Sequence, residues 1–85
     1  MDRIFFFGGG AAEAHDIAKQ IGFNRGEYIV ILDSRCSKMR GLRNQTLFVV
    51  GNADARADYH QVVNGALVDG FTVIYITAET LKLID

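Results

Sequence analysis

Apolar and polar positions along this chain alternate between short, unbroken apolar runs and stretches with helical spacing. Ile4-Phe5-Phe6-Phe7 stops abruptly at Gly8-Gly9-Gly10. Ala11, Ala14, Ile17, Ala18 and Ile21 then recur three and four residues apart, which predicts a helix over Ala11–Ile21 with one apolar stripe and Gly22 as its C-terminal cap. Phe23-Asn24-Arg25-Gly26 reads as a turn, and Glu27–Leu32 as a second strand closed by Asp33. A third strand, Thr46–Val50, runs into a glycine turn, Gly51-Asn52-Ala53-Asp54. Tyr59, Val62, Val63, Ala66 and Leu67 form the stripe of a second helix, with Asp54 as candidate N-cap and Gly70 at its end. Phe71–Ile76 is a fourth strand, and Thr77 caps a short final helix, Ala78–Ile84.

Strands that alternate with helices predict a parallel sheet with right-handed crossovers. The order is β-α-β-loop-β-α-β-α, a small α/β sandwich of about four parallel strands. The link Ser34–Gln45 is long enough for a crossover, with one helical turn near Lys38–Leu42. Near-continuous Ile/Val/Leu in the second and third strands is the mark of strands covered on both faces. Two or three helices are few for that task, so a sheet face or edge covered by a second copy, a homodimer, is the expectation.

Eighty-five residues form one small domain, residues 1–85, which buries only about 60–65% of its unfolded surface. Half the residues are apolar and the net charge is −1, values of a globular chain and not a disordered one. A single cysteine, Cys36, excludes an internal disulfide and a multi-cysteine metal site. The Ile4–Phe7 run is too short for a signal peptide or a membrane span, which points to the cytoplasm and away from a membrane partner.

In open parallel sheets, ligands bind beyond the carboxyl ends of the strands. Gly8–Gly10, Asp33–Arg35, Gly51–Asp54 and Thr77–Glu79 meet there. Over roughly the first 35 residues, Phe7-Gly8-Gly9-Gly10-Ala11-Ala12 followed by Asp33 resembles the opening of the Rossmann-like dinucleotide-binding superfamily. The resemblance implies NAD or another adenine nucleotide, with Gly8 and Gly10 close to a pyrophosphate and Asp33 on the adenosine ribose. Gly9, Arg35, Gly51, Asn52 and Asp54 complete the candidate ligand site. Glu13 stands where the third glycine of the motif belongs; facing the site it would repel phosphate, and the helical wheel allows it to point outward. The second half and catalytic domain of a dinucleotide enzyme are not in this sequence.

A phosphate-binding loop of the G-x-x-x-x-G-K-[ST] type is excluded, because the segment from Gly8 to His15 has neither lysine nor hydroxyl. Arg40-Gly41-Leu42-Arg43 before Leu47–Val50 is similar to the approach to a Walker B strand in some phage and helicase ATPases. That strand ends in adjacent acids there and in Gly51-Asn52 here, which implies at most a non-hydrolysing relative. Arg35, Lys38, Arg40 and Arg43 concentrate positive charge in one loop. They suit a bound phosphate, nucleic-acid backbone, or simply water. No aromatic residues interleave them as a single-strand binder would require. Cys36 lies among these cations with no histidine nearby in sequence; His15 and His60 sit on the two helices, and Asp54, Asp58 and Glu79 suit helix N-termini. With no nucleophile–base pair, metal set or carboxylate pair to name, the sequence points to a nucleotide- or phosphate-recognising module without catalysis. The alternative is a protein-interaction or inhibitor protein, of phage or mobile-element style, on the same scaffold.

Overall fold

The computed structural model describes residues 3–31 and 43–76. Its elements are β1 (Ile4–Phe7), α1 (Ala11–Gln20), β2 (Ile29–Val30), β3 (Thr46–Val50), a 3₁₀ turn (Ala53–Ala55), α2 (Tyr59–Val68) and β4 (Thr72–Ile76). The four strands form one all-parallel sheet in the order β2-β1-β3-β4. From β1 the chain steps one way to β2, and from β3 it steps the other way to β4. Right-handed crossovers in opposite directions put α1 and α2 on opposite faces. The result is the three-layer, Rossmann-like α/β sandwich expected from the sequence. The final helix, the helical turn at Lys38–Leu42 and the cations Arg35, Lys38 and Arg40 lie outside the described residues, as do Asp33, Cys36, Thr77 and Glu79.

Strand alternation divides the core in two. On the α2 face, Phe5, Phe7, Ile31, Leu47 and Val49 pack with Val62, Val63, Ala66 and Phe71. On the α1 face, Phe6, Val50 and Ile76 pack with Ala14, Ile17 and Ala18. Phe6 is the centre of the second cluster: its ring stacks on Phe48 at 4.9 Å and meets Tyr28 and Phe23 edge-on at 5.2 and 5.6 Å. The alanines of α1 let the helix lie close enough to the sheet for these rings to fill the remaining space.

Both helices end by the same device. Gly22 (φ 103°) donates to the Lys19 carbonyl and Phe23 to the Ala18 carbonyl, while Gly70 (φ 77°) donates to Leu67 and Phe71 to Ala66. These are Schellman ends, which need a left-handed residue and are sealed by an apolar one just beyond it. The Gly-Phe dipeptide supplies both. Phe23, which the sequence assigns to a turn, therefore packs against the α1-face core.

Several boundaries differ from the sequence reading. α2 begins at Tyr59 with Asp58 in the N-cap position, because the chain first makes the 3₁₀ turn; Asp54 is not its cap. Among the described residues of the second apolar run, Ile29 and Val30 form the strand, and both are half-buried. β2 is an edge strand, so its apolar continuity does not mean full cover. Leu67 continues the α2 stripe in sequence but is 56% exposed, and Ala11 is exposed at the first turn of α1. β4, the other edge, is exposed at Thr72, Ile74 and Tyr75.

Candidate functional site

Strand order reverses between β1 and β3, the place where open parallel sheets bind ligands, and the loops that leave their carboxyl ends lie against each other: a Cβ on Gly9 would stand 3.2 Å from the Asn52 Cβ. Gly8–Gly10 is one of these loops and Gly51–Asn52 belongs to the other. Both apolar strands end in a glycine turn, and at Gly51 the turn requires one: φ is +58°. A Cβ there would fall 2.3 Å from the Glu13 carboxylate.

Glu13 does not point outward. It is the third residue of α1, and its side chain reaches back over the helix start. Oε1 accepts hydrogen bonds from the backbone N–H of Gly9 and of Asn52, each at 2.8 Å. The Asn52 side-chain amide lies 3.4 Å from Oε2. The reach resembles half of a capping box, in which a glutamate at this position turns back to a free amide at the helix entrance. Here the same oxygen also takes an amide from the loop after β3. Two N–H groups from separate strand ends therefore converge on one anionic oxygen, within the positive end of the α1 dipole.

The surroundings fix that geometry. Gly8 is buried, and a Cβ on it would stand 3.2–3.3 Å from the Ala14 nitrogen, the Gly10 oxygen and the Val50 side chain. It lets helix and sheet approach. Arg56, which no sequence motif singles out, lies over the Phe7 ring at 4.8 Å and donates to the Gly8 carbonyl at 3.3 Å. Its Nε and Nη2 meet the two Asp58 carboxylate oxygens at 3.0 and 3.2 Å. Arg56 thus ties the start of α2 to the end of β1. The signal that marks it is an Arg-x-Asp pair immediately before a helix.

Of the residues singled out in the sequence, Gly9, Gly51 and Asn52 are gathered around Glu13, and Gly8 supports them from below. Gly10 stands apart: it is exposed, extended (φ −162°), and a Cβ on it would meet nothing within 4 Å. Close approach of a ligand to the backbone is thus not blocked at Gly10, but neither does the fold demand glycine there. Asp54 is exposed on the 3₁₀ turn and acts elsewhere, on Tyr59. The Tyr59 hydroxyl donates to that of Tyr75 at 3.3 Å. This bond, then desolvation, then the nearby Tyr75 and the Asp54 charge raise the Tyr59 pKa above the ordinary 10.0. Arg43 is exposed, and its carbonyl accepts from the Gln45 side chain.

A second concavity, about 390 Å³, lies on the flank of α1 toward its C-terminal end, lined by His15, Asp16, Lys19, Asn24, Arg25 and Tyr28. Its base is the 2.7 Å hydrogen bond between His15 Nδ1 and the Tyr28 hydroxyl. Among the described residues, none of the candidate ligand residues lines it. His15 and His60 are on helices at opposite faces of the sheet. Among the described residues no three His, Cys, Asp or Glu side chains are grouped to hold a metal ion, and no helix is long and apolar enough to cross a membrane.

Comparison with known proteins finds no matching family model, no matching curated protein and no matching solved structure.

Proposed function

We propose that this chain is a small module that recognises a phosphate-bearing ligand, an adenine nucleotide in the first instance, by binding and without turnover. The observation that carries this reading is the pair of amides, Gly9 and Asn52, aimed at one anionic oxygen where strand order reverses between β1 and β3. A phosphate oxygen offers those donors the same charge and hydrogen-bonding capacity as the carboxylate. Glu13 therefore stands in for a ligand anion, and a phosphate enters by turning that side chain out toward water. Gly10, open to solvent beside the cradle, leaves room for the rest of the ligand.

The test is a thermal-shift and calorimetric series with NAD, ATP, ADP-ribose and pyrophosphate on the wild type and on Glu13→Ala. A ligand at a hundred times its dissociation constant stabilises the fold by about 2.7 kcal/mol. The expected result is a shift in both proteins that is larger in Glu13→Ala, where the competing carboxylate is gone. If no ligand shifts either protein, the reading fails, and Glu13 is a helix cap that also staples two loops.

A further inference from the structure

The two edges of the sheet are unlike. β2 is short, Ile29–Val30, with Arg25 and Glu27 just before it, which is how natural sheets blunt an edge. β4 offers a five-residue edge, Thr72-Val73-Ile74-Tyr75-Ile76, with no charge, proline or glycine in it. Among the described residues no strand pairs with its outer side. Ile74 is 39% and Tyr75 52% exposed.

The backbone alternation shows what this edge offers. The Thr72 N–H donates inward to the Gln45 carbonyl, at the start of β3. In a parallel ladder, alternate residues bond to alternate neighbours, so Ile74 and Ile76 also face β3. The N–H and C=O groups of Val73 and Tyr75 therefore face away from the sheet.

We infer that β4 pairs antiparallel with β4 of a second copy of this chain, about a two-fold axis through Ile74. That register sets Val73 opposite the partner copy's Tyr75, and Tyr75 opposite its Val73. Those are the residues whose main-chain groups point outward, so each becomes a hydrogen-bonded pair of the antiparallel kind. Ile74 meets its own copy as the closer, non-hydrogen-bonded pair, and Thr72 meets Ile76. Val73 with Tyr75 is a β-branched–aromatic pair of the stabilising class, and no like charges face each other anywhere along the strand. A strand carrying one charge would set it against itself or against an apolar position in such a dimer. The same self-complementarity closes the assembly at two copies and joins two four-stranded sheets into one. The hydroxyl bond from Tyr59 to Tyr75 holds the Tyr75 ring on the α2 face, clear of the axis.

The experiment is sedimentation equilibrium of the full chain over a wide dilution series, together with amide hydrogen exchange resolved at Val73 and Tyr75. The expected result is a mass twice that of one chain, with both amides protected when concentrated and exposed on dilution. Ile74→Lys places two ammonium groups on the axis and should give a monomer with unchanged circular dichroism. Three results would each overturn the inference: a monomer at all concentrations, a dimer that survives Ile74→Lys, or protection at Val73 and Tyr75 that does not depend on concentration. The last means that the edge is covered from within the chain.

Discussion

Glu13→Ala tests the centre of the candidate site through stability alone, before any ligand is added. The substitution removes the acceptor of the Gly9 and Asn52 amides, each now bonded at 2.8 Å. Hydrogen bonds to a charged group are worth about 1.5–3 kcal/mol when water is excluded. Gly9 and Asn52 are exposed and water replaces the lost acceptor, so about 0.5–1 kcal/mol each is the appropriate scale. An acid in the first turn of a helix adds about 0.3–1 kcal/mol. The sum is about 2 kcal/mol, or a fall in Tm of roughly 8–15 °C for a domain of this size. Glu13→Gln keeps an acceptor oxygen and loses the charge, so it should lose about half as much. Gly51→Ala sharpens the test, since its Cβ cannot coexist with Glu13 at 2.3 Å. In the wild type it costs left-handed strain of about 1–2 kcal/mol plus the displaced carboxylate, whereas in Glu13→Ala only the strain remains. Chemical denaturation of the four proteins gives the cycle. A Glu13→Ala stability within about 0.5 kcal/mol of wild type, or additive effects, would refute the bridging geometry, because neighbours sharing a contact must couple.

Gly10→Ala should leave stability unchanged or raise it by about 0.4–1 kcal/mol, since the site is extended and empty and alanine has less freedom to lose on folding; urea denaturation reads this directly. Arg56→Met should cost about 1–2 kcal/mol by the same assay, through loss of its contacts with Asp58, the Gly8 carbonyl and the Phe7 ring. Tyr59 holds its proton more tightly folded than unfolded, so its contribution is complete below pH 10.0, the unfolded value, and is lost as pH rises through the higher folded value. Wild-type Tm should therefore fall more steeply above pH 10.0 than that of Tyr59→Phe. Tyr75→Phe should bring the tyrosinate absorbance of Tyr59 in at lower pH, and an unchanged titration would deny the hydroxyl bond.

What the sequence determined by itself is local. Apolar runs of strand length, stripes at helical spacing and the helix-ending glycines Gly22 and Gly70 depend on neighbours a few residues apart, and among the described residues they mark where the strands and helices lie. Alternation of strand and helix, with the handedness of crossovers, was enough for a parallel sheet. Gly8–Gly9 and Gly51–Asn52 were legible as turns at the carboxyl ends of strands because each directly follows a buried apolar run. Tertiary structure decided the rest. Glu13 turns inward because the Asn52 amide, 39 residues away, arrives at the same point as the Gly9 amide and both donate to one of its oxygens; a helical wheel contains no second loop and so allows that side chain to point outward. Asp54 is not the cap of α2 because it lies in the 3₁₀ turn and the helix starts after Asp58, where Arg56 links Asp58 to the Gly8 carbonyl, a link that exists only once β1 and β3 are side by side. Strand order was likewise silent in the sequence. Ile29–Val30 and Thr72–Ile76 are both apolar, yet order alone makes them edges, and edge or centre is settled by which strands find partners, a non-local choice that no run of residues encodes.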